Sequence, residues 1–469
     1  MYADLLPEAC LLGGAVICLL GGSFTPRRRQ WVTRVVAALA LLASLSTALL
    51  AAGAASTVFD GSYALDSATT AARVLAATVT LLVIALGSAE LSGDRRESET
   101  YALLLLAALG VVVLAGASDL LVLAVGFLLA SIPVYGLIGL DRSTTGTEAA
   151  VRTYLLGALA GIVLLLGVTV LTALAGGSTY RQLADQLPAA PVAAAALGVL
   201  AVASGLLFEA GAAPLHPWVP DATQGARTTV AAFLTTVPKI GALLALTRLV
   251  EVVPGGVPVR PVIGGLAAAS LLLGTFAAFG QHDLRRLLGW STVSQVGFLL
   301  LPVAAAGRSP LAVGSLVVYL AGYAATTLTL FAVLAALPHH RTLTDARGSA
   351  RAHPWLTAAL VLGLLGTAGT PPTAIFLGKL TTFTAAWEGG LAWLVILAAA
   401  TTVASLFYLL RWMGAVLPWS SPSRPEPGTG PEPAARRWAS LTAAVGAVGI
   451  LVIGIAGGTS LTWTTALIR

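Results

Sequence analysis

Apolar residues run through this chain in stretches of roughly 20, the length an α-helix needs to cross the hydrocarbon of a bilayer, with short polar punctuation between them. Marking each stretch predicts crossings near residues 5–22, 31–52, 70–91, 101–118, 119–140, 152–175, 193–215, 226–250, 261–280, 286–306, 311–337, 355–385, 391–415 and 438–460, about fourteen in all. Two of them break their own pattern. Near the seventh, Pro214, Pro217 and Pro220 follow Glu209; in the twelfth, Gly369, Pro371 and Pro372 precede Lys379. Proline removes a backbone donor and clashes with the preceding turn, and irregular backbone at membrane depth survives only inside protein or beside a cavity. Paired interruptions in the two halves of a chain point to an inverted-repeat transporter with its site near the midplane. The expected fold class is an all-α polytopic membrane protein.

Composition agrees and narrows the function. A mean hydropathy of +0.90 with only 10% charged residues over 469 positions exceeds what one aqueous core could bury. The net charge of +6 would suggest nucleic acid in a soluble protein. Here the arginines collect in alternate short connections, as the positive-inside rule expects, and nucleic-acid binding is excluded. One set of connections holds Arg27 to Arg29, Arg34, Arg95, Arg96, Arg142, Arg152, Arg227, Arg285, Arg286, Arg341, Arg347, Arg351, Arg424, Arg436 and Arg437; the other holds only Arg73, Arg181, Arg260, Arg308 and Arg469. An even number of crossings then puts both termini on the non-cytoplasmic side of a bacterial-type inner membrane. The segment from Ser420 to Pro433 reads as a flexible cytoplasmic linker. Cys10 and Cys18 share the first stretch and read as packing residues, since two cysteines supply neither a tetrahedral zinc site nor an iron–sulfur cluster. The first stretch lacks a basic leader and reads as a retained helix.

The chain has two lysines, Lys239 and Lys379, and both fall inside apolar stretches, as does Glu209. A lysine near the bilayer centre costs at least roughly 2.5–3.5 kcal/mol on insertion scales, so it faces a partner or a wet cavity and marks an ion or proton path. Burial disfavours the charged form, which lets such a group load and release a proton. Plainer readings stand beside this one. Lys239 could bond carbonyls freed by Pro238, Lys379 could snorkel to a membrane face, and Glu209 could sit alone as a neutral acid. His216 suits either a proton shuttle or a donor to carbonyls at the break; Gln295 suits a water bridge or a packed amide. Arg285 and Arg286 read as anchors of a helix end, Asp221 as a cap or turn, and His339 with His340 as weak evidence for a metal.

The run from Phe208 through Glu209, Pro214, His216, Pro217, Trp218 and Asp221 to Pro238, Lys239 and Ile240 resembles the antiporter-like membrane subunits of respiratory complex I, nearest their N-type group. Leu6-Pro7-Glu8, Tyr101 to Leu105, Glu148 to Ala158, Asp283 to Gln295 and Gly369 to Lys379 carry the same likeness in order along nearly the whole chain. The resemblance implies fourteen helices with two inverted five-helix repeats and broken helices seven and twelve. It divides the chain into a three-helix segment at 1–100, repeats at 101–250 and 261–415, and a linker with a last helix at 416–469. It also implies a proton relay through Lys239, Lys379 and Glu209, supported by His216 and Gln295. The chain itself would carry no cofactor; NADH, FMN, iron–sulfur clusters and quinone would sit in partner membrane and peripheral subunits. Two positions depart from the family: Leu128 stands where a glutamate on helix five is usual and Glu209 where a lysine on helix seven is usual. Gln295 also replaces a frequent histidine. Subunits of a sodium/proton antiporter or a membrane-bound hydrogenase share these features, and a non-pumping divergent scaffold is the remaining alternative.

Overall fold

The computed structural model describes residues 3–53, 55–417 and 433–457. The linker expected from Ser420 to Pro433 lies, but for its last residue, outside the described residues. Among them, 13 helices are long and apolar enough to cross a membrane. We number the crossings α1 (Leu6–Phe24), α2 (Trp31–Leu50), α3 (Ser67–Leu86), α4 (Glu97–Gly116), α5 (Leu120–Gly139), α6 (Thr144–Ala175) and α7a (Val192–Ala210). After the short α7b (Trp218–Gly225) come α8 (Thr228–Val252), α9 (Val259–Phe279), α10 (Leu284–Ala304) and α11 (Ala312–Ala336). The twelfth crossing is split into α12a (Pro354–Ala368) and α12b (Ala374–Glu388), followed by α13 (Ala392–Val416) and α14 (Pro433–Ile455). The chain is a polytopic helical membrane protein, and the described residues hold one small sheet, β1 (Ser56–Val58) paired antiparallel with β2 (Tyr63–Leu65). No hydropathy pattern announced that hairpin.

The two breaks expected at helices seven and twelve are present and built alike. Gly211 follows α7a at φ +81° and Gly369 follows α12a at φ +80°, a left-handed conformation that costs glycine little. In each, the glycine and the next residue bond back to the last turn: Ala212 N–H donates to the Leu207 carbonyl and Thr370 N–H to the Leu365 carbonyl. The seventh crossing therefore ends at Ala210, five residues short of the predicted 215.

A second device also occurs once in each half. Asp119 caps α5 by accepting from the Leu121 and Val122 amides, and the chain around it pairs with Thr179. Asp283 caps α10 by accepting from the Arg286 amide, and its surroundings pair with Thr342.

The centre of the bundle is α8, in which every residue from Val230 to Thr247 is buried. It packs against α3, α4, α7a and α11. Helices α1, α2, α6 and α13 lie outside and turn leucine, isoleucine and phenylalanine outward, as a lipid-facing surface requires. Arg73 corrects the sequence reading. Far from lying in a connection, it is buried within α3 and makes a two-pronged contact with Glu8 of α1, Nε to Oε1 at 2.8 Å and Nη2 to Oε2 at 2.9 Å. The Tyr63 hydroxyl donates to the same carboxylate at 2.7 Å, so the hairpin is tied to the pair. Glu209 is one of several buried acids: Glu8, Glu97 and Asp119 are buried too, toward helix ends.

Candidate functional site

Lys239 has no exposed surface, and its surroundings follow from the residue before it. Pro238 carries no N–H, so within α8 the carbonyl of Leu234, four residues back, has no backbone donor. The Lys239 ammonium donates to that carbonyl at 2.7 Å. Its outer face meets the indole of Trp218, 5.0 Å from the ring centroid, a favourable cation–π distance. The alternative sequence reading, a lysine bonding a freed carbonyl, is thus part of the geometry.

Trp218 opens α7b and closes the break from the other side. Its Nε1 donates to the Phe208 carbonyl at 3.1 Å, and the two rings lie 5.4 Å apart. Glu209, buried in the last turn of α7a, accepts from the Ser131 hydroxyl of α5 at 2.5 Å. It forms no direct ion pair with Lys239, although the two groups interact electrostatically across the break. A β-carbon at Gly211 would sit 2.6 Å from Val219 and 3.9 Å from the Lys239 nitrogen, so glycine there serves both the turn and the space.

Lys379 of α12b is 5% exposed and does not snorkel. Its ammonium turns back across the break to the carbonyl of Ala368, the last residue of α12a, at 3.0 Å, and to the Thr402 hydroxyl of α13 at 3.2 Å. The Phe298 ring lies beneath it, 4.3 Å from the centroid.

Between the lysines runs a line of hydroxyl and amide groups. The Tyr323 hydroxyl of α11 donates to the Thr235 carbonyl, one turn before Lys239, at 2.7 Å and lies 3.1 Å from Thr292 of α10. Gln295, three residues on, accepts from Tyr319 at 2.6 Å and donates to the Thr367 carbonyl at 3.2 Å, next to the Ala368 carbonyl that holds Lys379. A cavity of about 10 Å³ opens among Thr292, Gln295, Tyr323 and Thr367, close to the least a single water needs.

The remaining predicted positions fall as follows. His216 lies in the seventh break, half buried, with its ring 5.4 Å from Trp290 and its Nδ1 buried without a hydrogen-bond partner. Leu128 is 38% exposed; one turn later on α5, it is Ser131 that reaches Glu209. Asp221 is no loop cap. It lies in α7b and bridges Arg152 of α6 at 2.8 Å and Arg286 of α10 at 2.7 Å. Arg285 holds the end of α7b by donating to the Ala226 carbonyl at 2.8 Å. His339 and His340 stack edge to face, and no cluster of three potential metal ligands occurs among the described residues.

These features meet known proteins closely. Residues 117–405 match the NADH:quinone oxidoreductase/Mrp antiporter transmembrane family. Subunit N of the NADH-quinone oxidoreductase of Mycobacterium sp. (strain JLS) is 50% identical over 453 residues, 96% of this chain and 96% of the relative. The chain belongs to the subunit N family. The subunit N 1 protein of Streptomyces griseus is 48% identical across 97% of this chain and 96% of its own. In solved structures, a chain of Thermus thermophilus respiratory complex I with bound aureothin superposes with a TM-score of 0.81 at 30% identity, covering 97% of this subunit N family member and 98% of that chain. A chain of the Mrp complex from Dietzia sp. superposes at 0.86 with 21% identity over 99% of this chain and 96% of that chain, which shows a common fold. Glu209, Ser131 and the Tyr323 bridge are features of this chain's own geometry. Sequence reading found the first and missed the others, because nothing in a helix's hydropathy says which hydroxyl faces a neighbouring break.

Proposed function

We propose that this chain is a proton-translocating membrane subunit of a complex I-like NADH:quinone oxidoreductase, working beside the partner membrane and peripheral subunits that carry NADH, FMN, iron–sulfur clusters and quinone. Protons enter from the arginine-rich, cytoplasmic end near α7b and α8 and reach Lys239. They pass along the Tyr323, Thr292 and Gln295 line, with intervening water, to Lys379, and leave at the opposite face. Both termini then lie on the non-cytoplasmic side, in keeping with the arginine asymmetry. Glu209 takes the part of charged partner to Lys239 across the seventh break, which is the rewired alternative to a lost half-path.

The observation that carries this reading is the placement of two sealed ammonium groups at two matching helix breaks, joined by hydrogen-bonding side chains through an otherwise apolar core. An ammonium held by carbonyls and aromatic faces keeps a site whether or not it is charged. Neutralising one site changes the field at the next, which favours alternation over simultaneous loading. The test is Lys239→Ala in the assembled complex reconstituted into proteoliposomes. Proton uptake per quinone reduced falls sharply while assembly persists; unchanged uptake at normal assembly rejects the relay.

A further inference from the structure

At the arginine-rich end of the bundle, away from both lysines, a cavity of about 500 Å³ opens between α9, α13 and the connection that follows α11. His282, Thr344, Arg347 and Arg411 face it, and no carboxylate lines it. The nearby acids are turned elsewhere: Asp283 accepts from the Arg286 amide, and Asp345 accepts from the Thr342 amide and hydroxyl. Arg411 is fixed in place by the helix it faces. Its guanidinium donates to the Phe279 carbonyl at 2.8 Å and to the Gln281 carbonyl, the free end of α9, while its Nε is buried without a partner. The cavity wall therefore carries positive charge that no acid of the described residues pairs.

The surface leading away from this cavity is apolar on the same two helices. On α13, Val403, Phe407 and Leu410 face outward along the turns just before Arg411; on α9, Leu272, Leu273 and Phe276 do so just before Phe279. The rings of Phe279 and Phe407 meet at 4.9 Å and those of Phe276 and Phe279 at 5.4 Å, which joins the two apolar faces. Cations that no acid among the described residues pairs, continuous with an outward apolar face on the same two helices, match the two ends of one molecule.

We propose that this cavity binds the phosphate headgroup of an anionic glycerophospholipid, with the acyl chains lying along the outer faces of α9 and α13. Arg347 and His282 meet the phosphate, Thr344 offers it a hydroxyl, and Arg411 supplies the fixed charge behind it. A lipid so placed joins α9, in the second half of the chain, to α13 and to the connection between α11 and α12a.

The test uses the full chain in its purified assembly, placed in nanodiscs of phosphatidylcholine containing a minor share of phosphatidylglycerol. The lipid that stays bound after transfer to detergent is measured by native mass spectrometry. Phosphatidylglycerol is retained over phosphatidylcholine, and Arg347→Glu lowers that preference about tenfold. Arg347→Gln lowers it less, and Phe407→Ser shortens retention without abolishing the preference. Inorganic phosphate at millimolar concentration separates the two sources of this chemistry. If phosphate displaces the lipid fully and Phe407→Ser has no effect, the site serves a free anion and the lipid proposal is overturned. Equal retention of both lipids by the unaltered chain also overturns it, as does an Arg347→Glu protein that keeps its preference; a neighbouring subunit filling the cavity gives the first of these results.

Discussion

The ammonium of Lys379 caps the carbonyl of Ala368, the last residue of α12a, at 3.0 Å. The carbonyl end of a helix carries a partial negative charge, and a cation there contributes up to about 2 kcal/mol when partly buried. Lys379 is therefore a structural clasp across the break as well as the proposed second proton site, and substitutions can separate the two. Lys379→Ala removes both, so pumping and thermal stability fall together. Lys379→Arg keeps a positive charge near Ala368 but hardly releases a proton. Stability then stays close to that of the unaltered chain while proton uptake in proteoliposomes drops several-fold. An arginine variant that pumps fully would show that Lys379 is a fixed charge.

Pro238→Ala tests the origin of the Lys239 site. The alanine brings back an amide for the Leu234 carbonyl and makes Lys239 share that acceptor with it. Proline in a helix interior costs about 3 kcal/mol, so α8 gains stability in a thermal melt even as the ammonium is held less firmly. Coupled proton uptake decreases. A variant both more stable and fully coupled would mean that the freed carbonyl has no part in proton transfer.

Glu209 and Lys239 do not touch, yet their charges interact across the seventh break. Glu209→Gln keeps the bond from Ser131 and removes the charge. Proton uptake in vesicles across about pH 6–9 falls or shifts its profile, and adding Lys239→Gln costs less than the two single effects combined, because coupled sites are not additive. Strict additivity with unmoved profiles identifies Glu209 as a bystander. Leu128→Glu with Glu209→Lys, which restores the pattern usual in the family, retains more pumping than Glu209→Lys alone.

The connection between α11 and α12a carries its own pH dependence. His340 is pushed down to about 4, chiefly by burial and further by the neighbouring His339 and His353, with Asp345 opposing. Its ordinary value near 6.5 applies when the connection opens. The open form thus takes up the proton more readily, so the closed form is fully favoured above about pH 6.5 and loses that advantage as pH falls toward 4. Hydrogen exchange over residues 337–353, corrected for intrinsic rates, speeds up across that interval. His340→Gln removes the dependence; a dependence that survives in this variant assigns it to another group.

Hydropathy located the crossings, because length and apolar composition are what a bilayer selects, and the prolines and glycine set within them located both breaks. The lysines stood out for the same reason: charge amid apolar residues is visible in one dimension. What depends on the third dimension was not legible. Arg73 reads as a connection residue until Glu8, 65 positions away, is seen to fork onto its guanidinium. Asp221 looks like a turn former until α7b sets it between Arg152 and Arg286. Ser131, Thr292 and Tyr323 are ordinary helix residues in the sequence. Their place in the site comes from which helices pack beside the breaks, a fact no local pattern encodes.

The partners of Lys379 are a carbonyl, a hydroxyl and an aromatic face, none of which titrates near neutral pH. On the proposed relay, a proton arriving there meets no acid among these partners that could give one up in exchange, so its arrival would be an uncompensated displacement of charge within the membrane. Such a displacement does electrical work against the transmembrane potential, about 2.3 kcal/mol for a full crossing at 100 mV. On the proposed relay the occupancy of Lys379 would be a reading of membrane voltage, and a strongly energised membrane would slow its loading from the proposed entry end.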